Sequence, residues 1–277
     1  MADFTAHIAN LLMIGHKFKK DGSSYIELKL GKRQINVIQN PEIATIYKNL
    51  RSGHGRLVNT TKVIVTDVET NELEDVRNLI YSLCCLLSFI TCSQVVFHSQ
   101  EYPKSTSSWA ITGKTSIYHN VLDIGNGEAV ADFIQTVWNR FISIEKDRRL
   151  DMIFDYIHHA LYPGPTVESK LVFTFVTLES LKYTFALNKG YPFIDGYFKK
   201  PNNKNYSFSY LVTEMLKEAD IKKHDIQSIK GLRDEIIHSG LSKFDFHYNF
   251  TLFTTTQNLI RDYLIKLLGY SNFYKRV

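Results

Sequence analysis

Cysteine and proline are scarce in this chain, and one-sided charge is absent. There are 3 cysteines in 277 residues. All three, Cys84, Cys85 and Cys92, fall in one apolar stretch, "YSLCCLLSFITC". An odd number of cysteines inside a hydrophobic run predicts buried, reduced thiols rather than a disulfide framework. Nor does their spacing match the paired Cys and His ligands of a zinc site. No run reaches the roughly 18 uninterrupted apolar residues that a membrane span needs. The first twenty residues, "MADFTAHIANLLMIGHKFKK", carry no basic segment ahead of their apolar part and no small-residue cleavage site, so no signal peptide is expected. The expectation is a soluble, cytoplasmic protein without metal or cofactor. A Gly-x-Ser-x-Gly elbow, a zinc-hydrolase helix and a phosphate-loop lysine are all missing. "GNG" at 125–127 is too short for a phosphate loop.

The remaining composition is that of a folded chain. Hydrophobic residues make up 44%, and the formal net charge is +5. This mild basic excess is compatible with a polyanionic partner without demanding one.

The two halves of the chain differ in period. Residues 24–38, "SYIELKLGKRQINVI", alternate apolar and polar on both sides of Gly31-Lys32. Ile26, Leu28 and Leu30 share one strand face and Ile35 and Val37 another, which predicts a hairpin. The β-branched run at 56–68 and the stretches at 93–102 and 107–119 are strand-like, while 71–91 has apolar residues every three to four positions. Beyond Glu128 the spacing is helical. "YPGPT" at 162–166 breaks one helix, and Thr166 can cap the next. A polar loop with proline and asparagine is expected at 189–206. Asp225 and Gly240 bracket a helix as N-cap and stop signal. The predicted architecture is α+β, with an N-terminal mixed antiparallel-sheet domain at 1–127 and an all-α helical bundle at 128–277.

One helix carries the candidate chemistry. In "GLRDEIIHSG" (231–240), Arg233 precedes His238 by five residues. With 10 histidines in the chain, about one such Arg–His spacing is expected by chance. Context must therefore carry the argument. Ile226, Ile229, Leu232 and Ile236 form an inward stripe with Arg233 beside it. His238 lies about 140° further round the helix, close enough for both to border one groove. The helix C-terminus favours a charged imidazole there. Asp234, one turn before His238, can orient that ring and raise its pKa. The alternative is that Arg233 pairs with Asp234, Glu235 or a neighbouring helix, and that His238 only caps the helix dipole.

"LRDEIIHSG" resembles the HEPN superfamily pattern of arginine, a polar residue, three further residues and histidine, here Arg233, Asp234 and His238. "TLESLKY", with Leu178-Glu179, resembles the earlier HEPN helix that carries a Leu-Glu pair. "LLSFITCSQVVF" ahead of it is similar to the N-terminal region of ApeA-like bacterial defence proteins. The first resemblance covers about residues 145–270, the second about 60–125. They imply a HEPN-like bundle acting as a metal-independent endoribonuclease on single-stranded RNA. They further imply a homodimer through the HEPN domain, serving anti-phage defence or abortive infection. Arg233 and His238 would be catalytic: the histidine moves the proton, and the arginine holds the phosphate. Asp234 and Glu179 would support them, with Lys230 and Lys243 as RNA-binding residues. The N-terminal domain would sense or target, with a phage-derived trigger or an antitoxin as a further partner. A non-catalytic HEPN-like module that binds nucleotide, RNA or protein and dimerises through the same helices remains the other reading.

Other polar groups have ordinary readings beside functional ones. His158-His159 invites a metal, yet adjacent helical residues point about 100° apart and nothing completes a site. Lys17, Lys19, Lys20, Lys32 and Arg33 lie near Phe18 and could hold phosphate, or simply be solvated turns.

Overall fold

The computed structural model describes the chain except for residues 51–57, 104, 111–112, 114–118 and 222–224. The first two residues of the run at 56–68 and most of the stretch at 107–119 therefore lie outside the described residues. The fold is α+β: an N-terminal antiparallel sheet is followed by a helical C-terminal part. Two compact units divide at Asn139. The first comprises Met1–Asn139 with Asn272–Lys275, and the second Arg140–Ser271 with Arg276–Val277. The division falls inside one long helix, Gly127–Arg148.

In the first unit the strands are β1 (Ala2–Ala9), β2 (Lys17–Phe18), β3 (Ser24–Leu30), β4 (Arg33–Gln39), β5 (Asn59–Val68), β6 (Val96–Tyr102) and β7 (Ser105–Ser108). They form one sheet in the order β2-β3-β4-β5-β1-β6-β7. The β3–β4 hairpin pairs Leu30 with Arg33 around Gly31-Lys32. Gly31 has a φ of +59°, which glycine adopts without steric cost. Ile26, Leu28, Leu30, Ile35 and Val37 are all buried, as the alternation predicts. The strand at 2–9 was not anticipated, although Phe4, Ala6 and Ile8 alternate there with Asp3, Thr5 and His7. It lies between β5 and β6, with Phe4, Ala6 and Ile8 in the core. The described helices of this unit include α1 (Ile43–Leu50), α2 (Leu73–Thr91) and the first part of the long helix that begins at Gly127. Most apolar positions of α2, among them Ile80, Leu83, Leu87 and Phe89, are buried, while Leu73 and Leu79 are half-buried. Cys84 and Cys92 are buried and Cys85 is half-buried, with no disulfide. Burial pushes the Cys84 thiol far above its ordinary value, which makes it inert.

Gly15 marks a close backbone approach in this unit. A Cβ there would lie 2.3 Å from Tyr25 N and 2.5 Å from Tyr25 O, at the start of β3. Backbone atoms cannot swing aside as a side-chain tip can. Gly15→Ala is expected to destabilise the protein by about 1–3 kcal/mol, the usual range for overpacking. Urea titration measures it, and an unchanged midpoint refutes the close approach.

The second unit begins in α3 (Gly127–Arg148) and continues with α4 (Leu150–Leu161), α5 (Val167–Asn188), α6 (Phe208–Glu218), α7 (Ile226–Ser239) and α8 (Phe246–Leu267). Arg149, with a φ of +51°, separates α3 from α4. The side chain of Thr166 accepts from Ser169 N and caps α5. Asp225 accepts from Ser228 N and caps α7, and Gly240, with a φ of +73°, ends it. Helices α4, α6, α7 and α8 all pack on α5. The loop expected at 189–206 contains a hairpin, β8 (Phe193–Ile194) with β9 (Tyr197–Phe198). Asp195 and Gly196 make its turn, both at positive φ (51° and 81°). Asp-Gly between two apolar pairs is the sequence signal for such a turn.

Candidate functional site

Packing of α7 on α5 and α6 decides where Arg233 goes. Ile226, Ile229, Leu232 and Ile236 are buried, and this inward stripe fixes the rotation of α7. Arg233, next to the stripe, is then half-buried and reaches α5. Its Nη2 lies 2.7 Å from Glu179 Oε1, and its Nη1 lies 2.5 Å from Asp234 Oδ1. The guanidinium stands over the Phe208 ring at the start of α6, with Cζ 5.3 Å from the centroid. Lys182, one turn after Glu179, pairs with the same carboxylate and stands over the same ring at 5.4 Å. Lys230 reaches Asp234 Oδ2 at 2.6 Å. Three cations and two carboxylates thus share one patch and leave it one charge positive. Arg233 Nε is buried without a hydrogen-bond partner.

Asp234 does not orient His238. Its two oxygens are occupied by Arg233 and Lys230. Lys230 sits one turn before Asp234, as His238 sits one turn after it, and it is Lys230 that reaches the carboxylate. Burial pushes the Asp234 carboxyl up, but the hydrogen bonds from Lys230 and Arg233 outweigh it and hold it below the ordinary carboxylate range.

His238 takes no part in the cluster. It is exposed in the last turn of α7. Beside it in sequence Ile237 is 42% and Leu241 71% exposed, and the first turns of α8 expose Phe246 (61%) and Phe250 (47%). Lys243 lies in the α7–α8 connection. It is exposed, its backbone N–H donates to Glu235 Oε1 at 2.8 Å, and its Nζ stays 3.9 Å from Glu235 Oε2. The structure therefore gathers Arg233, Asp234, Glu179 and Lys230, and leaves His238 and Lys243 on an adjoining, partly apolar surface.

A cleft of about 490 Å³ adjoins Glu179 and is lined by Asp147, Arg149, Met152, Tyr183 and Thr184, among others. In the first unit a second cavity of about 400 Å³ lies among Leu12, Ile43, Tyr47 and Asn120.

Most of the remaining sequence candidates are held in ordinary contacts, while Lys20 and Phe18 are exposed. Lys17 pairs with Glu27. Lys32 and Arg33 both pair with Glu72, whose carboxyl the Arg33 hydrogen bond, helped by Lys32, holds down at about 2. His158 is buried, and His159 lies 3.5 Å from Asp155 and stacks on Phe173. Among the described residues no group of His, Cys, Asp and Glu could hold a metal ion, and no helix is long and apolar enough to cross a membrane.

A second polar cluster in this unit was missed in the sequence. Arg148, 2% exposed, donates to Glu218 Oε2 at 3.2 Å, to Thr184 Oγ1 at 3.4 Å and to the Tyr263 hydroxyl. Tyr263 in turn donates to Glu218 Oε2 at 2.9 Å. These residues come from α3, α5, α6 and α8, and no local spacing announces them. Comparison with family models, with curated proteins and with solved structures finds no match to this chain.

Proposed function

We propose that the protein is a metal-independent endoribonuclease of HEPN type that cuts single-stranded RNA in the cytoplasm. The observation that carries the reading is the division of labour along α7. Arg233 is anchored to Glu179 of α5, while His238, five residues on, is left exposed. "LRDEIIHSG" with "TLESLKY" supplies the resemblance. In this reading a phosphodiester competes with Asp234 for the outer edge of Arg233, whose planar fork suits an oxyanion. The RNA 2′-hydroxyl attacks its own phosphate, and His238 transfers the proton. The exposed apolar groups around His238 would be covered by the same surface of a second copy, which would bring two histidines and two arginines to one composite cleft. The first unit would sense or target, and the protein would serve anti-phage defence, answering a phage-derived trigger or an antitoxin.

The chemistry makes definite products. Incubation with a single-stranded RNA in EDTA should give ends with 2′,3′-cyclic phosphate and 5′-hydroxyl, and a DNA of the same sequence should survive. Loss of cleavage in EDTA, or cutting of the DNA, overturns the mechanism.

A second reading rests on a specific observation. Both carboxylates near Arg233 are already paired with it, and His238 has lost its expected orienting partner. A non-catalytic module that binds RNA, nucleotide or protein and dimerises through α7 and α8 fits that arrangement. Absence of cleavage by a dimer that still binds RNA would favour it.

A further inference from the structure

The segment between α5 and α6 builds a surface that the proposed chemistry does not use. With the first three residues of α6, residues 189–210 read "KGYPFIDGYFKKPNNKNYSFSY". They hold seven aromatic residues, four lysines and a single acid, Asp195. The segment is tightly tied by its own backbone. Lys199 N donates to Pro192 O at 2.9 Å, Lys200 N to Lys204 O at 2.8 Å and Tyr206 N to Phe198 O at 2.8 Å. Phe198 is buried and packs against Tyr183 and Phe193, so the hairpin is pinned to α5.

The exposed side of this segment is a column of rings. Tyr191 stacks on Tyr206 at 4.9 Å and 21°. Tyr206 stacks on Tyr210 at 5.0 Å and 18°. Lys200 Nζ lies 5.5 Å from the Tyr206 centroid and 5.7 Å from that of Tyr210. Next along the hairpin, Tyr197 is 56% exposed and carries Lys199 Nζ at 5.9 Å. Tyr210 itself is 41% exposed. Phe208, the ring under Arg233 and Lys182, lies between Tyr206 and Tyr210 in the chain, so the column and the Arg233 cluster both draw on the start of α6.

We propose that this surface binds single-stranded RNA: bases continue the tyrosine column at Tyr210 and on Tyr197, and Lys199, Lys200 and Lys204 take the flanking phosphates. A near-parallel ring column flanked by ammonium groups matches a strand of stacked bases with a charged backbone, and such stacking tolerates any base. The excess of lysine over acid here favours a phosphate-bearing strand over a protein partner. The inference rests on the ribonuclease reading only for the chemical class of its ligand.

The test uses the full chain and a fluorescein-labelled 2′-O-methyl RNA 12-mer, which cannot be cleaved, followed by anisotropy between 50 and 200 mM salt. Tyr197→Ala with Tyr210→Ala should weaken binding at least about tenfold, since each lost stack is worth roughly that factor. Tyr197→Phe with Tyr210→Phe should bind like wild type. The triple change of Lys199, Lys200 and Lys204 to glutamine should flatten the slope of log K against log salt by about 2. A double-stranded 12-mer, whose bases are already stacked, should bind more weakly. No binding by wild type, or equal binding by the alanine and wild-type proteins, overturns the proposal; so does capture of the alanine-sensitive surface by a protein without RNA binding. The two readings fail separately. RNA bound through these residues but never cut sinks the ribonuclease and keeps this surface. RNA cut normally by alanine variants that bind as well as wild type does the reverse.

Discussion

His238→Ala should slow RNA cleavage by about 10²–10⁴-fold, the usual worth of one positioned acid or base, and should leave the unfolding midpoint almost unchanged. The separation of the two effects is what the structure adds. His238 is exposed and takes no part in the Arg233 cluster. Among the described residues its structural contribution is to the helix dipole, about 0.3–1 kcal/mol when protonated. Arg233→Ala behaves differently. It strips Glu179 and Asp234 of their shared guanidinium and uncovers Phe208, so activity and stability should fall together. Equal cleavage rates for wild type and His238→Ala would remove the nuclease reading, whatever the stability data show.

Local pattern carried much of the architecture, and tertiary pairing carried what it missed. Alternation gave the hairpin around Gly31 because each strand has one buried face. Thr166, Asp225 and Gly240 announced helix ends because capping is chemistry within three or four residues. Strand β1 has the same alternation at Phe4, Ala6 and Ile8, but with small and polar neighbours it does not stand out. The Asp195-Gly196 turn was likewise visible in principle and lay hidden inside a polar, proline-bearing segment. The break between α3 and α4 has no such signature: an arginine at positive φ is not what a helix stop predicts. At the site, helical spacing placed Arg233 beside the apolar stripe, where it is. Spacing alone could not decide between Lys230 and His238 as the partner of Asp234, because both lie one turn away. The pairing of Arg233 with Glu179 is a contact between helices 54 residues apart in sequence; an acid among apolar residues of a core helix needs a partner, which suggests Arg233 across the bundle but fits a helix-surface acid equally well.

The network around Arg148 yields the largest stability prediction. Arg148 is 2% exposed, whereas Glu218 retains 21% of its side-chain exposure. Glu218→Ala would leave a buried guanidinium facing only the Tyr263 and Thr184 hydroxyls. Burial pushes the Tyr263 hydroxyl well above its ordinary value, so it stays protonated and cannot supply the missing negative charge. Removing one partner of a buried ion pair typically costs about 3–5 kcal/mol. Because Glu218 is partly solvated and also lies 3.7 Å from Lys189, the lower end of that range is expected here. In a unit of this size each kcal/mol lowers the melting temperature by about 2–4 °C, so a fall of roughly 6–12 °C should be seen. Replacing both residues, Arg148→Met with Glu218→Leu, should restore most of the loss, because no unpaired charge is then left inside. A double variant no more stable than Glu218→Ala alone would mean that the guanidinium contributes mainly through its contacts with Thr184 and the Tyr263 ring. A single variant within 1 kcal/mol of wild type, by urea titration, would mean that water reaches Arg148 and that α3, α5, α6 and α8 are not joined by a dry ion pair.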